Sequence, residues 1–380
     1  MNRKLKIGFV FDDTLDNPDG VQQYVLILGR WLAKQGHDVH YLVGETKRTD
    51  IPHMHSMSRN VHVKFNQNRM SMPLPAQMEP IRTLLAKEQF DILHVQVPYS
   101  PAFAARVIKA AGVHTAVIGT FHVAPHSRLV SLGNKALGIW VRSTLKRFDV
   151  MLATSEPAQA FAKETFGIES TVVDLPIPLD AFFGKPPLQP YQGTRNVVFL
   201  GRLVERKGCQ HLLKAVDYAV SHNIWPAATN VIICGGGPLD AQLKEYVARH
   251  GLSDIVTFVG YISEEDKPNY LAAGDVVVYP STGGESFGVV LLEAMAASRG
   301  MILAGNNPGY ASVMHERPES LFDPLDTPSL AHKIVDALTD TKARTAAREW
   351  QQTYVKRFDV NEIGKQTVAI YEQALHKRAD

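Results

Sequence analysis

Short apolar runs punctuate the first half of the chain at Ile7–Phe11, Asp38–Val43, Ile92–Gln96, Ala116–Gly119 and Val150–Ala153. Each is nearly continuous rather than alternating and too short for an ordinary helix, the pattern of a strand buried on both faces. Between them the apolar positions return with helical period, most plainly at Val21–Gln35 and Pro80–Lys87. The second half repeats the plan, with strands predicted at Asn196–Leu200, Asn230–Cys234, Ile255–Val259, Val276–Tyr279 and Met301–Ala304. Helices are predicted there at Cys209–His222, Leu239–His250, Phe287–Ala297 and Ser329–Thr339. Strands alternating with helices predict βαβ units and parallel sheets, hence an α/β protein of two Rossmann-like, doubly wound domains.

Between the halves, Leu175–Asp180 carries Pro176 and Pro178, and Pro186, Pro187 and Pro190 follow. Proline fixes φ and lacks an N–H, so this window opposes regular structure and marks a boundary. A first domain of 1–176 and a second of 177–360 result. The amphipathic stretch Val360–Lys377 is expected to cross back, so that 361–380 joins the first domain. Open α/β sheets bind ligands at the C-terminal edge of their strands, which places a central cleft between two such domains.

Composition narrows the class. Apolar content of 45% and charged content of 21% suit a folded chain. Cys209 and Cys234 are too few for a disulfide framework or a cysteine metal site and are compatible with a reducing compartment. The basic start is followed by an apolar run that stops at Asp12–Asp13, too short for a signal sequence. No stretch reaches the roughly 20 apolar residues of a spanning helix, so membrane contact is expected to be peripheral. A net charge of +2 makes no case for nucleic acid. It divides into +4 over residues 1–180 and −2 beyond, and the first 180 residues hold nine of the fifteen histidines.

The densest chemistry lies in Gly283-Gly284-Glu285-Ser286-Phe287-Gly288-Val289-Val290, running on to Glu293 and Ala296. A glycine turn between a strand and a helix aims backbone N–H groups and a positive dipole end at an anion such as a diphosphate. Glu285 can accept hydrogen bonds from sugar hydroxyls, and Glu293 can reach a ribose diol. The alternative is a plain helix with an acid before it and a glutamate on its polar face. Arg202 and Lys207, in the turn after the second half's first strand, can grip a diphosphate or form a solvated basic loop. Gly20 opens the helix after the first strand and permits close backbone approach, or simply caps it. His122 follows a strand end in a Phe-His pair, in a ligand-binding or a structural role.

Gly260–Lys267 would hold the base if the family resemblance set out next holds: backbone groups of Tyr261 and Ile262 would then pair with a base edge, and Glu264 would suit the adjacent donors of guanine, with Lys267 closing the segment. Ser263 and Asp266 also read as a capping box, which competes.

Glu285 and Glu293, with seven residues between them within Gly-Gly-Glu-Ser-Phe-Gly and Leu-Leu-Glu-Ala-Met-Ala, resemble the E-x7-E motif of glycosyltransferase family 4. Further matches run from Gly8 to about Tyr371. The resemblance implies a retaining, metal-independent enzyme of GT-B architecture without a cofactor, its substrate a nucleotide-sugar. It implies that Arg202 and Lys207 bind the donor phosphates and stabilise the leaving group. Gly20 would face the diphosphate, His122 the transferred sugar, and Ser286 to Val290 with Glu285 and Glu293 the donor. The catalytic set is then His122, Arg202, Lys207 and Glu285. The chain departs from the pattern at Asp19, where the family has glycine, at Ile177-Pro178 and at Ala297–Gly300.

Within the family the wording is similar to bacterial phosphatidylinositol mannosyltransferases, which implies GDP-mannose and a lipid acceptor at the cytoplasmic face of the membrane. Residues Ser127–Val150 carry Arg128, Lys135, Arg142, Lys146 and Arg147 among Leu132, Trp140 and other apolar residues, the composition of an interfacial helix. Arg69, Met70 and Met72, expected in an Asn66–Pro75 loop, would add a basic and apolar rim. The competing reading is a helix whose apolar face covers the sheet. Two alternatives stand beside the lipid mannosyltransferase: a family 4 enzyme using a UDP-sugar or a soluble acceptor, and a catalytically silent nucleotide-sugar binding protein.

Overall fold

The structure is a computed structural model that describes residues 3–16, 20–58, 60–65, 68–73, 76–122, 141–285 and 287–379, with the backbone alone at 60–65, 68–73 and 379. The chain divides into two compact units, Met1–Pro176 with Phe358–Asp380, and Ile177–Arg357.

The first unit opens with β1 (Lys6–Phe11), α1 (Gly20–Lys34), β2 (Asp38–Val43) and β3 (Met54–Ser56). β4 (Asn60–Phe65), β5 (Asn68–Pro73), α2 (Met78–Glu88), β6 (Ile92–Gln96) and α3 (Phe103–Ala110) follow. β7 (Ala116–Phe121), β8 (Val150–Ala153), α4 (Glu156–Phe166) and β9 (Thr171–Val172) complete its first pass. Seven strands form one sheet in the order β3-β2-β1-β6-β7-β8-β9, every pair parallel. Strand order reverses between β1 and β6, so the loop after β1 lies at the switch point. Both faces of the central strands are buried, as their continuous apolar runs require.

β4 and β5 form a separate antiparallel hairpin that pairs Val61 with Met72 and Val63 with Met70. The segment expected as a loop at Asn66–Pro75 is therefore strand over Asn68–Pro73. The signal was the alternation of Val61, Val63 and Phe65, a period of two that reads as a half-buried strand.

The second unit runs β10 (Arg195–Leu200), α5 (Cys209–Ser221), β11 (Thr229–Cys234), α6 (Asp240–Arg249), β12 (Val256–Gly260) and α7 (Lys267–Ala272). It continues with β13 (Val276–Tyr279), α8 (Val289–Ala297), β14 (Met301–Gly305), α9 (Pro308–Val313), β15 (Leu321–Phe322), α10 (Thr327–Thr339) and α11 (Thr341–Tyr354). Its sheet order is β12-β11-β10-β13-β14-β15, with the reversal between β10 and β13. One apolar cluster, including Val197, Phe199, Leu212, Val216, Ile233 and Val278, joins this sheet to α5 and α10. The proline-rich window is irregular apart from short 3-10 turns at Leu179–Ala181 and Gln189–Tyr191, but Ile177, Leu179 and Phe182 are buried.

The last helix, α12 (Val360–Ala379), belongs to the first unit. Asn361 Oδ1 accepts from Trp31 Nε1 of α1 at 2.9 Å, Gly364 lies against the Trp31 ring, and buried Tyr371 reaches the sheet. No helix among the described residues is long and apolar enough to cross a membrane.

Candidate functional site

In the second unit the chemistry gathers at the switch point, because the loop after β10 and the loop after β13 emerge side by side. The first bends through a 3-10 turn at Glu205–Lys207 and ends at Gly208, whose φ of +75° is left-handed. A Cβ there would sit 1.9 Å from the Pro280 carbonyl oxygen, so only glycine lets the two loops meet. Thr282 N–H then donates to the Arg206 carbonyl at 2.9 Å, and Ser281 Oγ lies 3.0 Å from the same oxygen.

This junction delivers Glu285 to two cations. Arg206 Nη1 lies 2.9 Å and Lys207 Nζ 2.9 Å from Glu285 Oε1, and Ser281 Oγ donates to that oxygen at 2.8 Å. Arg206 was not among the residues singled out from sequence. Its signal was adjacency to Lys207 in a basic turn, but which of three basic residues reaches the glutamate depends on the turn. Arg202 is exposed in the same loop. Asn307 braces the arrangement from α9: its Nδ2 donates to the Ser281 carbonyl at 3.2 Å, while its Oδ1 caps the helix by accepting from Tyr310 N–H. Gly309 admits the Glu285 carbonyl oxygen, which would stand 2.2 Å from a Cβ.

Helix α8 starts at Val289, two residues later than the sequence pattern predicts. Gly288 has φ +116°, outside helical space, and its missing side chain cannot cap the helix. The amides of the first turn therefore have no side-chain cap from that position, the electrostatic setting that favours an anion. Phe287 is buried and Ser286 lies outside the described residues.

α8 buries Leu291 through Ala296, Glu293 included. Glu293 Oε1 takes Lys267 Nζ at 3.0 Å, and the same ammonium lies 2.6 Å from the exposed Glu264. Burial raises the Glu293 carboxyl above its ordinary range, opposed by Lys267. Burial also works to lower Lys267, but Glu293 and Glu264 outweigh it and its value rises. Ser263 and Asp266 do form the cap-like pair, with Asp266 N–H donating to Ser263 Oγ at 3.0 Å. Tyr261 is 79% exposed and Ile262 half-buried.

In the first unit Gly20 opens α1 directly after the β1 loop, and a Cβ there would meet nothing within 4 Å. Its own fold does not demand glycine, unlike Gly208 or Gly309. His122 sits at the end of β7, 6% exposed, edge-on to the Tyr24 ring at 4.8 Å. Its Nε2 donates to Gln96 Oε1 at 2.7 Å. Burial pushes its pKa down to about 3, so the ring is neutral at physiological pH with Nδ1 as its acceptor. Behind it, fully buried His94 is hydrogen-bonded to Thr120 Oγ1 and Tyr371 Oη, both at 2.6 Å.

The basic segment is described only from residue 141. Val141 and Leu145 are buried against Phe121 and Phe161, so this end covers the sheet. Arg142 and Lys146 are exposed, whereas Arg147 Nη2 donates to the Gly112 and Thr115 carbonyls. Val150 belongs to β8, so the helix does not extend across the whole expected range. Arg128, Lys135, Trp140 and the side chain of Arg69 lie outside the described residues.

Comparison with known proteins covers both units. Residues 18–181 match Glycosyltransferase Family 4, and residues 184–353 match Glycosyl transferases group 1. The chain is 29% identical to a phosphatidyl-myo-inositol mannosyltransferase of Mycolicibacterium smegmatis, covering 97% of this chain and 94% of the relative. It is 26% identical to a GDP-mannose-dependent alpha-(1-6)-phosphatidylinositol monomannoside mannosyltransferase of Mycobacterium tuberculosis, covering 91% and 93%. Among solved structures, a glycosyltransferase from Rickettsia africae superposes with a TM-score of 0.75 at 18% identity over 97% of this chain and 99% of that one. The Anabaena HepE protein in complex with UDP and glucose gives 0.69 at 18% identity over 97% and 100%.

Proposed function

The chain belongs to glycosyltransferase family 4 and is a hexosyltransferase of the GT-B fold class, and on that premise we propose that it transfers mannose from GDP-mannose to an inositol phospholipid at the membrane surface. The observation that carries the reading is the junction of Glu285 with Arg206 and Lys207, beside the open N-terminus of α8. It concentrates cations and amide donors at one switch point, the equipment for a diphosphate with a sugar attached. The mannosyl and lipid parts rest on the two similar mannosyltransferases.

In this reading Arg202, Lys207 and the amides of Val289 and Val290 take the donor diphosphate, and Glu285 accepts hydrogen bonds from the sugar. Glu293 and the Tyr261–Lys267 segment hold the nucleoside. Gly20 gives the phosphates room, and neutral His122 offers Nδ1 to a sugar hydroxyl. The acceptor oxygen bonds to the anomeric carbon on the face that the phosphate leaves, the C–O bond to GDP breaks, and the acceptor proton passes to the departing phosphate. Configuration is retained. The cations neutralise the charge that develops on the leaving group, so no metal ion is needed. Exposed Arg142 and Lys146 contribute to attraction by an anionic surface, with Arg69, Arg128, Lys135 and Trp140 completing it. The enzyme works at the cytoplasmic face, without a nucleic-acid partner.

A second reading, a UDP-sugar donor with a soluble acceptor, is favoured by one feature. The carboxylate of Glu264, suited to guanine, is already engaged by Lys267. Turnover of GDP-mannose, UDP-glucose and UDP-N-acetylglucosamine, with and without EDTA and phosphatidylinositol vesicles, separates the two. GDP-mannose turnover that survives EDTA and requires the vesicles supports the lipid mannosyltransferase. Selective use of a UDP-sugar removes the mannosyl assignment, and binding without any turnover leaves a silent binding protein.

A further inference from the structure

The excess of histidine in the first 180 residues is not absorbed by the transferase chemistry, and the fold brings part of it together. Asp38 and His40 start β2, His53 precedes β3, and His55 lies in β3. This is the edge of the sheet at which β2 begins, opposite the edge where β1 ends before Gly20 and β7 ends before His122. Asp38 Oδ1 lies 3.2 Å from His40 Nε2 and 3.2 Å from His53 Nδ1. The three ligand atoms fall within 4.8 Å of one another.

These separations have a chemical meaning. Nitrogen and oxygen ligands about 2.0–2.1 Å from a tetrahedral zinc ion stand roughly 3.3 Å apart, which the two Asp38 contacts match. His40 is 4% exposed, and its Nε2 has no hydrogen-bond partner among the described residues, although a carboxylate oxygen faces it. A buried polar atom without a partner is costly and calls for an occupant. Its other nitrogen, Nδ1, is hydrogen-bonded to His55 Nε2 at 3.0 Å. That is how a metal-binding imidazole is ordinarily oriented, with the far nitrogen held by a neighbour and the near lone pair turned to the metal. Asp38 Oδ2 points the other way, 3.4 Å from Lys6 Nζ. Lys6 is the cation facing the cluster, and Glu88 Oε2 holds it at 2.9 Å while standing 3.9 Å from His40 Nε2. His53 is half-exposed, so a fourth position would open to water.

We propose that Asp38, His40 and His53 form a binding site for a zinc-type transition-metal ion, with His55 as the orienting neighbour. Two imidazole nitrogens and one carboxylate oxygen suit zinc, and cobalt as its spectroscopic substitute, and disfavour magnesium and calcium. The site lies at the opposite edge of this sheet from Gly20 and His122, so it holds the β2–β3 edge together and takes no part in sugar transfer.

The test uses the untagged full chain, dialysed free of metal. Isothermal titration with zinc chloride is expected to show one ion per chain, and cobalt to give the visible bands of a tetrahedral site. Zinc should raise the melting temperature by several degrees. His53→Ala, at a half-exposed position, should weaken zinc binding at least about tenfold and abolish the thermal shift, while His114→Ala, at an exposed position elsewhere, should change neither. His53→Cys should restore binding and add a thiolate charge-transfer band with cobalt. Equal binding by wild type and His53→Ala, or no binding by either, would overturn the proposal and leave the cluster as a polar network around Lys6.

Discussion

Gln96 sets the tautomer of His122. Its Nε2 donates to the His94 carbonyl at 3.2 Å, which turns Oε1 toward the Nε2–H of His122 at 2.7 Å. The imidazole is thus neutral by burial and oriented by an amide, with Nδ1 left as its acceptor.

That burial has a consequence for stability against acid. His94 and His122 are each depressed to about 3 by burial, His94 further by its proximity to His122. Their unfolded value is about 6.5, so their contribution is intact above pH 6.5 and lost as pH falls from 6.5 towards 3, at up to about 1.4 kcal/mol per pH unit for each histidine. Asp12, raised to about 6 by burial, has the opposite sign: its contribution is present below pH 3.8 and lost as pH rises to about 6. One group offsets two only in part. Urea unfolding between pH 7 and 4 should show stability falling with acid, and His122→Asn should shallow that slope by close to one proton. An unchanged slope would mean that His122 is protonated in the folded protein.

Lys267 and Glu293 are a buried pair, and the exposed Glu264 reaches the same ammonium from the solvent side. Lys267→Met strands the carboxylate and should cost about 3–5 kcal/mol in denaturant unfolding, less where Glu293 can take up a proton. The double variant Lys267→Met/Glu293→Met should recover most of that loss. Additive losses would show that the two side chains do not act as a pair.

Gly364 sets two effects against each other. Replacing it by alanine in the interior of α12 gains about 1 kcal/mol of helix propensity. Its Cβ would fall 2.4 Å from Trp31 Cε3, and overpacking of that kind costs about 1–3 kcal/mol. The clash should win, lowering the melting temperature and altering Trp31 fluorescence. A more stable variant would mean that α12 docks more loosely on α1 than the structure has it.

Two glycines of the candidate site should respond differently. Gly309→Ala meets the Glu285 carbonyl and should destabilise the second unit by about 1–3 kcal/mol. Gly20→Ala meets nothing within 4 Å, so stability should hold. Its predicted effect is on substrate: the KM for the donor should rise about tenfold, because the methyl group stands where the phosphates are proposed to approach. An unchanged KM would remove Gly20 from the donor site.

Much of this protein was legible in its sequence, for an identifiable reason. Strands buried on both faces must be apolar throughout, so runs such as Ile7–Phe11 and Val276–Tyr279 announced two parallel sheets before any contact was known. The glycine turn before α8 was legible because left-handed backbone restricts residue choice, as Gly284 and Gly288 do here. The basic segment was harder to read, because an apolar helix face looks alike whether it meets lipid or a sheet. Buried Val141 and Leu145 resolve only its final part.

What sequence alone determined is therefore the order of elements, the two-unit plan and the loops that carry the candidate site, since periodicity and backbone restriction are local properties. Only tertiary structure decided that Arg206 reaches Glu285, that Lys267 answers Glu293, that Gln96 orients His122 and that Asp38 meets two histidines. Those pairings join residues up to 79 positions apart, and they follow from which strands lie side by side and how much water the packing excludes. Neither is written in the spacing of residues along the chain.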